Sequence, residues 1–273
     1  MAHRALGLTI MDAALELALG PPPLDREADL ERRFGGLRRL YGDAAYARIR
    51  AARIAIVGVG GVGSWAAEAL ARSGVAGLVL IDLDHVAESN INRQIQAVGR
   101  TLGQAKVQAL RERIADIHPG CAVSEVEDFV DANNWPALLP YPVDVVIDAC
   151  DQVRAKAAIA AWSLSSGVPL VVAGAAGGKR KPQAIEVDDL SATTHDPLLA
   201  SLRQRLRKHH GAARTGNIGV RCVYSRESVA APADACDVDG TLNCAGYGSS
   251  VTVTASFGMT CASVALEFSS LRK

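Results

Sequence analysis

No CxxC pair occurs among the six cysteines of this 273-residue chain, which excludes a structural zinc site of the four-cysteine type. The chain is neither short nor cysteine-dense, so a disulfide scaffold is excluded too and the expected compartment is the reducing cytoplasm. Net charge is also missing: 29 Lys and Arg balance 29 Asp and Glu, so whole-molecule charge selects no partner. No G-x-x-x-x-G-K-[ST] occurs, which rules out a P-loop ATPase. There is no internal repeat and no long low-complexity tract. Asp12 and Glu16 interrupt the apolar N-terminus, no cleavage site follows, and a secretory signal is not expected. No membrane span is expected either. The one apolar candidate, residues 251–268, is rich in Ser, Thr, Gly and Ala, whereas a span takes about 20 predominantly apolar residues. A buried core helix, or a strand plus helix, is the reading for it.

What remains is an ordinary globular composition, 49% hydrophobic and 21% charged. From residue 53 short apolar runs alternate with helical patterns: RIAIV, LVLID, CAVSEVE, VDVVID and PLVVAG as strands, with helices over 64–74, 103–119 and 153–167 between them. Such alternation predicts an α/β fold, a Rossmann-like and mostly parallel sheet with helices on both faces, over about 50–178. A C-terminal extension is expected to continue the same sheet. Residues 1–24 read as a flexible lead, ended by three prolines at 21–23. Residues 25–50 read as a polar helical arm broken at Gly35 and Gly36. Residues 51–273 read as one domain with a basic insertion at about 195–215.

Gly58, Gly60 and Gly63 spell G-x-G-x-x-G between a strand and a helix, with Gly61 inside the turn. Glycines permit the tight turn and let the backbone approach phosphate, and the helix N-terminus offers unpaired N–H groups. Asp82 ends the next strand, where a carboxylate can grip ribose hydroxyls. This motif alone does not choose NAD over ATP. The stretch IDLDHVAESNINRQ (81–94) and the later Lys106 do choose. Asn90, Arg93, Gln94 and Lys106 set two cations and two amides beyond the carboxyl ends of the strands. Hydride transfer has little use for them, whereas a triphosphate developing charge does.

Gly58 to Ser64, DLD…SNINRQ and Lys106 resemble the ATP-dependent adenylyltransferases related to ubiquitin-activating enzymes. That resemblance implies ATP on a Rossmann-like fold, attacked at its α-phosphate by a carboxylate. It places Asp82 on ribose, with Asp84 and Gln94 beside the nucleotide. Asn90, Arg93 and Lys106 fall on the phosphates. Asp151, in DACDQVRAK, falls on the Mg2+ that accompanies ATP. RFGGLRRLYG (33–42), AGAAGGKRKPQAIEV (173–187), HDPLLASLRQRLRK (195–208) and NCAGYGSSVTVTASFG (243–258) are similar to one branch, the tRNA threonylcarbamoyladenosine dehydratases. The implied activity is a ligase-type, ATP-dependent dehydration of threonylcarbamoyladenosine in tRNA to its cyclic form. The implied partners are tRNA, a second copy of the chain and a sulfur-relay protein, and a monovalent cation (Na+ or K+) is implied as well. In the homodimer an arginine of the arm, Arg39 or Arg33, would reach the partner's ATP.

Two further features bear on this reading. Residues 179–221 hold nine Lys and Arg against four acids, a local charge of +5 in a neutral chain. Asp196 reads as an N-cap and Pro197 as the first residue of a helix, with Leu199, Leu202 and Leu206 as its apolar stripe. Arg203 and Arg207 lie one turn apart beside that stripe, His209, His210 and Arg214 follow, and with Arg205 the segment forms a candidate track for an RNA backbone. Cys236 and Cys244 could serve as acceptor thiols, but all six cysteines are read as structural. The alternative function is an adenylyltransferase that activates the C-terminus of a sulfur-carrier or ubiquitin-like protein. An NAD-dependent oxidoreductase is disfavoured by the phosphate-side cations.

Overall fold

A computed structural model of the chain describes residues 28–229 and 247–271. The expected N-terminal lead, Cys236 and Cys244 lie outside the described residues.

Runs of β-branched and aliphatic residues lay down seven strands: β1 (Arg53–Val57), β2 (Gly77–Ile81), β3 (Ala122–Val126), β4 (Val145–Asp148), β5 (Leu170–Ala173), β6 (Ile185–Asp189) and β7 (Arg221–Ser225). Their order is β3-β2-β1-β4-β5-β7-β6. All neighbours are parallel except β6, which runs antiparallel to β7. This is the expected mostly parallel sheet, carried past β5 by C-terminal strands. Strand order reverses at β1, whose neighbours are β2 and β4. The crevice above that reversal is where open α/β sheets bind ligands.

Eight helices cover the sheet among the described residues: α1 (Leu30–Phe34), α2 (Gly36–Tyr41), α3 (Asp43–Ala51), α4 (Gly63–Arg72), α5 (Lys106–Ile117), α6 (Val153–Ser166), α7 (Pro197–His209) and α8 (Val251–Leu271). The period-2 alternation of the strands sorts them into two layers. Ile54 and Ile56 of β1 pack with α3, α4, α5 and α8. Ala55 and Val57 face α6 and α7 on the other side.

The apolar stretch near the end is one helix, α8. By length and composition it could cross a membrane, yet half of it is buried within the fold. Val253, Phe257, Cys261 and Ala265 recur at helical spacing on its buried face. Gly258 sets its depth. A Cβ there would stand 2.7 Å from Trp65 Cβ and 2.9 Å from Ala66 N, so α8 lies directly on α4.

The arm folds as three short helices rather than one. Besides the break at Gly35 and Gly36, Gly42 interrupts it with φ +78, a left-handed conformation that glycine adopts without penalty. Phe34 anchors the arm against the His118 ring, centroids 4.8 Å apart. α7 begins as its sequence suggests: Asp196 accepts from Leu199 N at 3.0 Å, Pro197 follows, and Leu199, Leu202 and Leu206 are fully buried.

Candidate active site

A cleft of about 670 Å³ runs along the carboxyl ends of the strands. Its floor is the glycine turn after β1. Gly58 has φ +82, and a Cβ there would stand 2.9 Å from Cys150 N, so only glycine lets β1 and β4 close up. Gly63 has a different task. A Cβ at 63 would strike Gly58 O, so this glycine seats α4 on the turn and does not itself line the cleft. Gly60 and Gly61 do line it. No side chain caps α4, and the turn just before it, Gly60 to Val62, lines the cleft, so the positive end of the helix dipole favours an anion there.

Asp82 braces this turn as well as facing the cleft. Its Oδ2 accepts from Val59 N at 2.8 Å and its Oδ1 from Asp84 N at 3.0 Å. Burial pushes the Asp82 carboxyl above the usual carboxylate range, against the opposing pull of the Lys106 ammonium and the two N–H donors. Lys106 opens α5 and is buried. Its Nζ lies 2.6 Å from Asp84 Oδ2 and 3.8 Å from Asp82 Oδ1.

The SNINRQ loop is folded on itself. Asn90 is buried, and its Oδ1 accepts from Ala87 N at 3.1 Å. Arg93 Nη1 donates to Ser89 O at 2.6 Å and to Asn92 Oδ1 at 2.9 Å. Trp65 Nε1 donates to Arg93 O at 2.9 Å, which ties the loop to α4. Gln94 is buried, and its Oε1 accepts from Gln96 Nε2 at 3.2 Å. Asn90, Arg93, Gln94, Lys106, Asp82, Asp84 and Asp151 all line the one cleft.

Asp151 follows β4, and the sequence reading missed what holds its loop. Lys156 and Asp148 are both fully buried and 3.1 Å apart. Lys156 Nζ also donates to Ala173 O at 3.0 Å, joining the ends of β4 and β5 beneath Asp151. Burial is the largest influence on Lys156 and works against its charge, but the Asp148 carboxylate together with Cys150 and Cys222 outweighs it and holds the ammonium above its usual range. A lysine amid the small apolar residues of AKAAIAA was the available signal. Cys150 Sγ donates to the same carboxylate at 3.0 Å.

Beyond β5 the wall is assembled from distant segments. Asp196 Oδ2 accepts from Ala175 N at 2.8 Å. Lys179, almost fully buried, donates to Ser225 O at 3.0 Å and Glu227 O at 3.1 Å. Burial lowers its pKa, with Asp196 and Glu227 acting in the opposite direction. Glu227 Oε2 in turn accepts from Arg180 N and Lys181 N at 2.9 and 2.8 Å. Tyr247 and Ser249 close this end.

The arm arginines stand apart from the cleft. Arg33 Nη1 donates to Asp116 O at 3.1 Å and Ile117 O at 2.7 Å, capping α5. Arg39 is exposed on α2, and neither arginine lines the cleft. In the basic segment, Arg203 Nη1 donates to Leu190 O at 2.9 Å and Thr193 O at 3.0 Å. That guanidinium holds a loop, whereas Lys208 and Arg214 are exposed.

The four described cysteines are free thiols. Burial pushes Cys121 up to about 11 and Cys261 up to about 12. Cys150 and Cys222 are pushed up well above the usual thiol range. None of the four is a ready nucleophile near neutral pH, which agrees with their structural reading.

The ThiF family model matches residues 33–271. The chain is 44% identical over 248 residues to the tRNA threonylcarbamoyladenosine dehydratase of Escherichia coli, covering 86% of this chain and 92% of that one. It is 39% identical to the enzyme of that name from Haemophilus influenzae, over 88% and 94%. A crystal structure of the E. coli dehydratase in complex with ATP superposes with a TM-score of 0.80 at 43% identity, covering 88% of this chain and 95% of that one. The molybdopterin-synthase adenylyltransferase of E. coli is 37% identical, but over 45% of this chain and 49% of its own length. The chain belongs to the ThiF family, in its branch of tRNA threonylcarbamoyladenosine dehydratases.

Proposed function

We propose that this protein dehydrates threonylcarbamoyladenosine in tRNA to its cyclic form, at the expense of ATP. The observation that carries the reading is a convergence. The glycine turn, Asp82, Arg93 and Lys106 share one cleft at the sheet's switch point, in a chain that matches the dehydratases along almost their whole length. Binding of ATP follows from the same match.

In this reading Asp82 holds the ribose, with Asp84 and Gln94 beside it. The glycine turn, the α4 N-terminus, Asn90, Arg93 and Lys106 hold the phosphates. Magnesium fits the donor set. Among the described residues no cluster of three acidic, His or Cys side chains could cage a metal, whereas Mg2+ is commonly held by one or two carboxylates plus substrate phosphates. Asp151 would hold it, and when bound it would neutralise phosphate charge.

The threonine carboxylate attacks the α-phosphorus, and the bond to pyrophosphate breaks. The carbamoyl oxygen then attacks the activated carbonyl carbon. The bond to AMP breaks, a proton leaves, and the ring closes. No protein nucleophile is needed. The chain supplies positioning and fixed charge, which act most strongly where charge develops in a partly dry cleft. Residues 51–273 act as one adenylation domain, and the work is done in the cytoplasm as a homodimer. Arg39, exposed on the arm, is the residue that reaches the partner's ATP.

The test is a mass measurement. The protein is incubated with ATP, magnesium and tRNA carrying threonylcarbamoyladenosine, and the tRNA is digested. The nucleoside should be lighter by one water, with AMP formed alongside. An unchanged nucleoside, together with pyrophosphate exchange stimulated by a sulfur-carrier protein, would establish the alternative instead.

A further inference from the structure

The cleft extends beyond the nucleotide. It passes the ends of β3, β2, β1, β4 and β5 and reaches the loop after β7. Under the reading above, ribose at Asp82 and phosphates at the glycine turn fix the direction of ATP. Its adenine points away from the phosphates, toward the end of β3. There Phe129 lines the cleft and is 52% exposed.

The opposite arm, past Asp151, is left open by a nucleotide so placed. Its wall is Gly174–Gly177, Pro197, Leu198, Val229 and Tyr247. Among the described residues, none of these carries a charge. The nearby charges are directed elsewhere. Both Asp196 oxygens accept backbone N–H bonds, and Lys179 is turned onto carbonyls. Tyr247 is half-buried, and its segment is fixed at two points. Gly178 N donates to Gly248 O at 2.9 Å, and Asn92 Nδ2 donates to Ser249 O at 3.1 Å. The second of these bonds comes from the SNINRQ loop itself.

A neutral, apolar arm with one half-buried aromatic ring on an anchored segment suits a planar base and not a phosphate. We infer that this arm is the acceptor subsite, in which the modified adenine of the tRNA stacks on Tyr247 while its threonine carboxylate reaches past Asp151 to the α-phosphate. A second hollow of about 380 Å³ shares Pro197 and Val229 with the arm and runs to His195 and Arg203. It leads the polynucleotide from the stacked base toward α7. The inference rests on the dehydratase reading.

The experiment is a crossed pair of variants, each assayed for dehydration of modified tRNA and for equilibrium binding of ATP. Tyr247→Ala should lower kcat/KM for tRNA about tenfold to a hundredfold, the worth of one base–aromatic stack. The loss should fall on KM, with ATP affinity and the salt dependence of tRNA binding unchanged. Tyr247→Phe should restore most of it, and thermal melting of both variants guards against a folding defect. Phe129→Ala should do the reverse, weakening ATP and sparing the tRNA KM. If Tyr247→Ala keeps wild-type kcat/KM, or loses ATP affinity to the same degree, the subsite is overturned while the dehydratase reading stands. If the wild-type protein leaves the nucleoside intact, both fall together.

Discussion

The two ends of the cleft are built in different ways. At the β2 end, charged side chains line the cleft itself and are balanced locally: Asp82 braces Val59 N, and Lys106 lies between Asp82 and Asp84. At the β5–β7 end, charge is consumed in construction. Asp196, Lys179 and Glu227 turn inward onto backbone groups and leave an apolar wall. The first end can grip an anion. The second can hold a base in register. A reaction that joins a carboxylate to a phosphate needs both kinds of surface within one cleft.

The largest effect should come from the charged end. Arg93→Ala or Lys106→Ala should cut AMP formation about 10²- to 10³-fold, the usual cost of losing one preorganised donor to developing charge. Circular dichroism should show the fold intact. Near-normal turnover in both would place the chemistry elsewhere.

Asp82→Asn is the next test. The amide oxygen can still accept from Val59 N, so the glycine turn is kept while the charge and the bond from Asp84 N are lost. ATP affinity should fall by about 2 kcal/mol, roughly thirtyfold. The sign of the pH dependence follows from burial. The Asp82 carboxyl is held above the usual range, so on acidification it gains its proton before an exposed aspartate, near pH 3.9, would. Wild-type ATP affinity should drop as pH falls through that raised value, and the Asn variant should lack this step. The same shift means that ionisation of Asp82 opposes folding as pH rises, so Asp82→Asn should not lower Tm in step with affinity. An acid limb of equal depth in the variant would assign the titration to another group.

At the apolar end, Asp196→Ala removes an N-cap and the bond to Ala175 N together. Loss of a cap costs about 1 kcal/mol, visible as a lower Tm. The KM for tRNA should rise several-fold while ATP binding holds. Weakened ATP binding of the same size would erase the distinction between the two ends.

The smallest effects separate the basic residues. Neutralising Lys208 or Arg214, both exposed, should reduce the salt slope of tRNA binding by about 0.7 to 0.9 each if they meet phosphates. Arg203→Ala should leave that slope unchanged and lower Tm, because its guanidinium holds Leu190 O and Thr193 O. A changed slope for Arg203→Ala would return it to the RNA track.

The same contrast explains what could be read from sequence. β1, the glycine turn and α4 are one continuous stretch, and their side chains announce their roles. SNINRQ announces its cations equally well. The far wall does not, because its partners are backbone carbonyls and N–H groups, which leave no trace in residue identity. Asp189 is an example. It accepts from Ile218 N at 2.8 Å and Gly219 N at 2.7 Å across some thirty residues, yet in sequence it is one acid among several. Lys179 stands in KRK, where nothing in the residue order marks it as buried. Arg203 has helical spacing beside a leucine stripe, and that pattern is the same whether the side chain faces solvent or a loop. The Lys156–Asp148 pair was hidden because a lone lysine in a helix is ordinarily solvated. Arg93 could be found from sequence, but Trp65 and Thr254, which hold its carbonyl at 2.9 and 3.4 Å, required the fold.

The central claim is that ATP and the tRNA carboxylate meet above the glycine turn, oxygen on phosphorus. The most direct measurement is oxygen transfer. Modified tRNA is prepared with heavy oxygen in the threonine carboxylate and turned over once with unlabelled ATP. If the carboxylate attacks the α-phosphate and AMP later departs with the bridging atom, the AMP carries one heavy oxygen and the pyrophosphate none. Unlabelled AMP beside a cyclised nucleoside would contradict the account, because the carboxylate would then have been activated without ever being bonded to the α-phosphorus.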